Sequence, residues 1–259
     1  MIRNRCKALI LSMMVSVALT LGLTTNSFAQ GVLQATADLT GDGVPEKIYH
    51  ALNGMMRVVN PDGSQQSYFI TNSPGGWAIL GGEAGIKDLD GIPGGEMAVN
   101  VGSVVLVVTH RTTSIKGYSL PGTGWALLGG AAGITDYDGV AGAEVPINMG
   151  PSLIFINHRA ETMKAFATSS GTWFLLLGPG GINDFDGEPG NEVAITVSGG
   201  TVRILHPASD VTRNYFVTPG PYSLFAVSDL DGQPGQEITL RLGTSNNYRV
   251  INDRLGTIQ

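Results

Sequence analysis

An all-β fold, a β-propeller of five four-stranded blades of about 48 residues, is what this sequence predicts, and three observations predict it. One nine-residue motif, opening on Asp and closing on Glu, occurs five times at near-even spacing. Each later copy is followed by alternating apolar residues, a tight turn and a second apolar run. Glycine is abundant, 37 of 259 residues, and no stretch sustains a 3.6-residue period, which argues against helices.

The motif copies are Asp38-LTGDGVP-Glu46, Asp88-LDGIPGG-Glu96, Asp136-YDGVAGA-Glu144, Asp184-FDGEPGN-Glu192 and Asp229-LDGQPGQ-Glu237. After the Glu, period-two alternation marks a half-buried strand: Met97/Val99/Val101, Val145/Ile147/Met149, Val193/Ile195/Val197 and Ile238/Leu240/Leu242. Gly102-Ser103, Gly150-Pro151, Gly199-Gly200 and Gly243-Thr244 then turn the chain into Val104–Val108, Leu153–Ile156, Val202–Leu205 and Tyr248–Ile251. A more polar segment such as Thr162–Thr168 follows and is expected outermost. A short strand before each Asp, at Gly85-Ile86, Gly133-Ile134, Gly181-Ile182 and Ala226-Val227, is expected innermost. Position two of the motif is always apolar (Leu39, Leu89, Tyr137, Phe185, Leu230) and is expected to point into the blade packing.

Residues 1–29 are expected to be a signal peptide. Arg3, Arg5 and Lys7 precede an apolar run from Ala8 to Leu23, and Ser27 and Ala29 offer small side chains at a cleavage site. The run is shorter than the roughly 20 residues of a spanning helix, and no other stretch resembles one. Residues 30–259 then form a single five-repeat domain without cysteine, secreted or periplasmic. Those three basic groups aside, 12 Lys and Arg face 21 Asp and Glu. That acidic balance disfavours nucleic acid and anionic membranes as partners and suits cations, neutral sugars or basic proteins.

Gly at motif position four, with Gly or Pro after it, marks a turn between two strands. Positions one, three and nine gather oxygen donors, and three carboxylates on one turn repel one another unless a cation lies between them. Asp38-Leu-Thr-Gly-Asp42-Gly-Val-Pro-Glu46 resembles the FG-GAP/VCBS repeat of integrin α-subunit N-terminal propellers and of many secreted bacterial proteins. The resemblance covers all five copies. It implies calcium as cofactor, held by Asp38, Thr40, Asp42 and Glu46, by Asp88, Asp90 and Glu96, by Asp136, Asp138 and Glu144, by Asp184, Asp186 and Glu192, and by Asp229, Asp231 and Glu237. The copies depart from the family pattern at Thr40 and, in position five, at Ile92, Val140, Glu188 and Gln233. Ile and Val cannot ligate through their side chains. A turn in which Asp caps backbone N–H groups needs no metal at all.

A large aromatic also recurs. Trp77, Trp125 and Trp173 stand eleven residues before the motif Asp, and Tyr222 stands seven before it. These are candidate ligand-stacking residues on the face away from the acidic turns, or wedges between blades. The Gly-rich links Leu80-Gly81-Gly82 and Leu128-Gly129-Gly130 are expected to join the outer strand of one blade to the inner strand of the next. His110, His158 and His206, each 22 residues after a motif Asp, are expected to be turn residues too far apart to share one ion. Nearly every polar feature recurs in each repeat, whereas catalysis needs an asymmetric group. Glu83, Glu161, Asp62 and Asp210 are the scattered exceptions, and no G-x-S-x-G or metal-hydrolase motif occurs. The expected function is a non-enzymatic binding module for carbohydrate or an extracellular protein. A calcium-stiffened adhesion protein and a glycan-active enzyme are the alternatives.

Overall fold

The structure, a computed structural model, describes residues 31–71, 76–168, 172–176, 178–218, 220–244 and 246–259. The expected signal peptide lies outside them. Among the described residues, no helix is long and apolar enough to cross a membrane. The chain divides into two compact units, Met1–Ala37 with Pro45–Trp77, and Asp38–Val44 with Ala78–Gln259.

The architecture is all-β and consists of five antiparallel sheets, the blades of a β-propeller, each with its strands in chain order. Blade one, in the first unit, contains β1 (Val32–Ala37), β2 (Glu46–His50), β3 (Met55–Val59) and β4 (Gln65–Phe69). The other four belong to the second unit. Blade two is β5 (Ala78–Ile79), β6 (Met97–Val101), β7 (Val104–Thr109) and β8 (Ser114–Ser119). Blade three is β9 (Ala126–Leu127), β10 (Val145–Asn148), β11 (Ser152–Asn157) and β12 (Thr162–Ala167). Blade four is β13 (Phe174–Leu175), β14 (Ile182–Asn183), β15 (Glu192–Val197), β16 (Thr201–His206) and β17 (Val211–Phe216), with β13 and β14 both pairing to β15. Blade five is β18 (Tyr222–Ser228), β19 (Glu237–Leu242), β20 (Tyr248–Asn252) and β21 (Thr257–Ile258).

The middle strands follow from their composition. β6, β7, β11, β15 and β16 are rich in Val, Ile and Leu and are largely buried, as strands covered on both faces must be. The outer strands β8, β12 and β17 are polar, with one buried residue apiece, Tyr118, Phe166 and Tyr215. The core lies between blades. Leu89 joins side chains of blades two and three, Tyr137 those of three and four, and Phe185 those of four and five.

The Gly-rich segments are not connections between blades. They interrupt the inner strands. After β5, β9 and β13 the chain makes a 3₁₀ turn (Gly82–Gly85, Gly130–Gly133, Gly178–Gly181) and then pairs again beside the motif, as in the Lys87–Glu96 and Thr135–Glu144 bridges. Glycine is required there because a Cβ on Gly85 or Gly133 would lie 1.8 Å from the Leu80 or Leu128 carbonyl oxygen. β1 and β18 lack this insertion and run through with a bulge.

Consecutive acidic turns of the second unit stack directly on one another. The position-eight N–H groups of Gly95, Ala143, Asn191 and Gln236 donate to the position-one carbonyls of Asp38, Asp88, Asp136 and Asp184 at 2.8–3.0 Å. The first copy has Pro45 at position eight, which has no N–H to give. The position-four glycine is the point of closest approach. A Cβ on Gly41, Gly91, Gly139 or Gly187 would come within 2.3–2.6 Å of the position-six carbonyl oxygen of the next copy. Gly232, in the last copy, has nothing within 4 Å. Position two behaves alike. Leu39, Leu89, Tyr137 and Phe185 are buried, but Leu230 is 56% exposed, against expectation, because among the described residues no other turn lies against this one, as the open space at Gly232 shows.

Gly139 and Gly232 share φ = +72°, so an added Cβ meets the same left-handed strain in both, about 1–2 kcal/mol. Gly232→Ala should therefore cost about that much in denaturant unfolding, and Gly139→Ala about 3 kcal/mol or more, since it also forces two turns apart. Equal costs would show that position four serves the turn and not the stacking.

Candidate functional site

The motif carboxylates meet as the sequence predicts. In copies two to five, one ligand-type atom from each of Asp88/Asp90/Glu96, Asp136/Asp138/Glu144, Asp184/Asp186/Glu192 and Asp229/Asp231/Glu237 lies within 4.8 Å of the others. One oxygen of each carboxylate has work to do within the turn. In copy three, Asp136 Oδ1 accepts the N–H groups of Asp138 (3.1 Å) and Gly139 (2.7 Å), and Asp138 Oδ1 accepts that of Val140 (2.9 Å). The buried Glu reaches back to position two in every one of these copies. The N–H groups of Leu89, Tyr137, Phe185 and Leu230 donate to Oε2 of Glu96, Glu144, Glu192 and Glu237 at 2.7 Å.

Of the oxygens that remain, Oδ2 of position three and Oε1 of position nine face a nitrogen from the end of the third strand or just past it. Asn157 Nδ2 donates to Asp138 Oδ2 (2.7 Å) and Glu144 Oε1 (2.9 Å). Asn252 Nδ2 does the same to Asp231 (3.0 Å) and Glu237 (2.9 Å). In blade four His206 Nδ1 lies 3.1 Å from Asp186 Oδ2 and 3.9 Å from Glu192 Oε1. In blade two Arg111, two residues past the strand end, lies 2.7 Å from Asp90 Oδ2 and 3.6 Å from Glu96 Oε1. A nitrogen donor thus stands where a cation would. Ile92 and Val140 add no side-chain oxygen, and Glu188 and Gln233 are exposed. The residues present in copies two to five do not fit a calcium ion, which needs six to eight oxygens. In copy one Asp38 accepts N–H groups from Thr40, Gly41 and Gly43, and Asp42 that of Val44. The Thr40 hydroxyl there is buried without a hydrogen bond. Glu46 opens β2 in the first unit and is buried.

The aromatic residues turn inward. Trp125 Nε1 donates to the Gly102 carbonyl (2.8 Å), Trp173 Nε1 to that of Gly150, and the Tyr222 hydroxyl to that of Thr201 (2.9 Å). Each pins the start of one blade to the central hairpin of the blade before it. Trp77, 7% exposed, packs on His50 with ring centroids 4.7 Å apart. Trp77 and Trp173 have no open ring face for a sugar, which corrects the stacking expectation; their apolar area holds the fold.

The three histidines are not equivalent. The β15–β16 hairpin is one residue longer than its counterparts, so His206 closes a strand where His110 and His158 begin the turn after one. His206 is 1% exposed, with Nε2 3.1 Å from Asp253 Oδ2, and the carboxylates around it raise its pKa against the opposing effect of burial. Its partner Asp253 also accepts from the Tyr215 hydroxyl (2.6 Å) and pairs with Arg213. The clasp donors Arg111, Asn157 and Asn252 were not apparent from motif reading. A polar residue ending an otherwise apolar strand was the available signal.

Repeat symmetry breaks at the junction of blades two and three. Because Arg111 closes the copy-two turn, the strand-end position can be a short Thr109, whose hydroxyl meets His158 Nε2 (3.2 Å). His158 Nδ1 meets the Tyr118 hydroxyl (2.9 Å), and burial holds this imidazole below its ordinary pKa. A cavity of about 440 Å³ opens there, walled by Asp90 and Ile92 of one turn, Ile115 and Lys116 of β8, and Arg159 and Glu161 of the next turn. Its charges are paired: Lys116 with Glu161 (2.5 Å), Arg159 with Asp138 (3.6 Å) and Asp90 with Arg111. At the next junction Pro207 and Ala208 replace His158 and Arg159, and Lys164 donates to the Pro207 carbonyl (2.8 Å). The acidic residues outside the motifs do not combine. Glu161 binds Lys116, Asp210 Lys164 (3.5 Å) and Asp62 Ser64, while Glu83 begins a 3₁₀ turn.

No family model matches the chain, and no curated protein does. Solved structures do. An Agrocybe aegerita lectin recognising non-reducing terminal N-acetylglucosamine is 14% identical with a TM-score of 0.44, over 87% of this chain and 64% of that one. A chain of the mitotic checkpoint complex is 13% identical with a TM-score of 0.40, over 89% and 62%. The present chain thus spans less than two thirds of the length of either.

Burial raises Glu96 and Glu144 to about 7 and Glu192 to about 8 from an ordinary 4.5. The folded chain therefore holds protons there that the unfolded chain releases above about 4.5. The stability this linkage contributes is full below that pH and is lost as pH rises through about 7–8. The melting temperature should be higher at pH 5.5 than at pH 8.5, and a rise over that interval would contradict the assignment.

Proposed function

We propose that this chain is a non-enzymatic binding module, secreted or periplasmic, which takes a carbohydrate or an extracellular protein in the cavity between blades two and three. The observation that carries the reading is the break in repeat symmetry there. Elsewhere in the second unit the recurring polar side chains close turns or pin blades. At this junction His158, Arg159, Glu161 and Lys116 line an open space instead. Its volume lies within the range of small-ligand sites, roughly 300–1,000 Å³. Its charges come as neighbouring pairs, so donors and acceptors alternate without net charge, and Ile92 and Ile115 add half-exposed apolar area. That combination suits the hydroxyls and C–H face of a neutral sugar better than an ion. Calcium, in this reading, belongs to copy one, where Asp38, Thr40 and Asp42 keep oxygens at positions one, three and five.

Residues 30–259 should bind a restricted set of glycans on an array without releasing reducing ends. The combined Arg159→Ala and Glu161→Ala change should weaken binding at least about tenfold. Both residues are exposed, so the melting temperature should stay within about 2 °C. Glycan turnover would contradict the non-enzymatic reading. Glycan binding indifferent to the double substitution would remove the cavity, and a blank array with capture of an extracellular protein would select the protein partner.

A further inference from the structure

We infer that a nitrogen donor at the end of the third strand, or just past it in blade two, acts as the built-in cation of the acidic turn in blades two to five, and that exchanging the strand-end donor for a carboxylate converts the turn into a calcium site. The same two oxygens, Oδ2 of position three and Oε1 of position nine, are addressed by an amide in copies three and five, an imidazole in copy four and a guanidinium in copy two. Three chemistries from two chain positions meet one requirement, a nitrogen-borne positive or partially positive group between two carboxylates. None of the amide or guanidinium nitrogens can ligate calcium, and each excludes it sterically as well as electrostatically.

Copy three shows how the device is held. Asn157 spends its oxygen locally, with Oδ1 accepting the Ala160 N–H (2.7 Å), and this fixes Nδ2 toward the turn. Leu255 N–H fixes Asn252 in the same way (2.9 Å). The amide orientation is therefore set by the hairpin that follows, before any ion could compete. An Asp in place of Asn157 keeps the acceptor for Ala160 and turns its second oxygen toward Asp138 and Glu144. The turn then offers carboxylate oxygens from positions one, three and nine and from the strand end, which with water make a calcium shell.

Equilibrium dialysis against calcium chloride, with the bound ion counted per chain, tests this. The native protein should bind no more than one calcium, and Asp42→Ala should abolish any such ion. Asn157→Asp should bind one more than the native chain and gain about 5 °C or more in melting temperature on passing from EDTA to millimolar calcium. Asn252→Asp in blade five gives the same readout should the first variant not fold. Two or more calcium ions on the native chain would overturn the inference, as would folded variants that bind no additional ion.

Discussion

One contact governs the second unit: the backbone of each acidic turn lies against the backbone of the next. In copies one to four, position four must be glycine because the following copy's carbonyl occupies the place of a Cβ. Position eight must keep its N–H because that group donates to the preceding copy's Asp carbonyl and ties the two turns together. Position two must be large and apolar because the space beneath the stacked turns is the interblade core. The Asp and Glu side chains hold each turn in the shape that makes this stacking work. A change at one turn is therefore felt in two blades.

Holding several carboxylates in so small a space raises an electrostatic problem, and the chain meets it with its own nitrogen donors. Burying a charge is costly unless it is paired and hydrogen-bonded. Glu144 is buried, yet one oxygen faces the Tyr137 N–H and the other the Asn157 amide. This arrangement also explains the asymmetric cavity between blades two and three. Once Arg111 takes the donor role from outside the strand, the strand end can shrink to Thr109 and the wall of the neighbouring turn is exposed. The cavity proposed for recognition thus arises where the structural device differs from that of the other blades.

Much of the fold was legible because its signals are local and repeated. The motif spacing, the alternation after each Glu and the polar outer strand sufficed for five four-stranded sheets, and the carboxylates gather where the spacing placed them. What was not legible depends on register or on a neighbour. Leu230 has the same residue type as Leu39 and Leu89 but is exposed, since burial at position two depends on a neighbouring turn and none lies against this one among the described residues. Counting from the motif put His206 level with His158, and one extra hairpin residue moved it onto the strand end, between Asp186 and Asp253. The clasp donors come from residues some 20 positions away from the turns they close, as Asn157 does for Asp138, so no motif window contains both. The tryptophans were visible as a repeat, but the direction of their rings was not.

The most direct measurement is native-state hydrogen exchange of the position-eight amides of Gly95, Ala143, Asn191 and Gln236. These groups lie in turns, where amides ordinarily exchange through local fluctuation. If turn-on-turn stacking holds the second unit together, all four should exchange only on global unfolding, as slowly as amides in β7, β11 and β16. Exchange at the rate of the neighbouring loop amides would show that the turns fray independently and that the blades are held by their apolar cores alone.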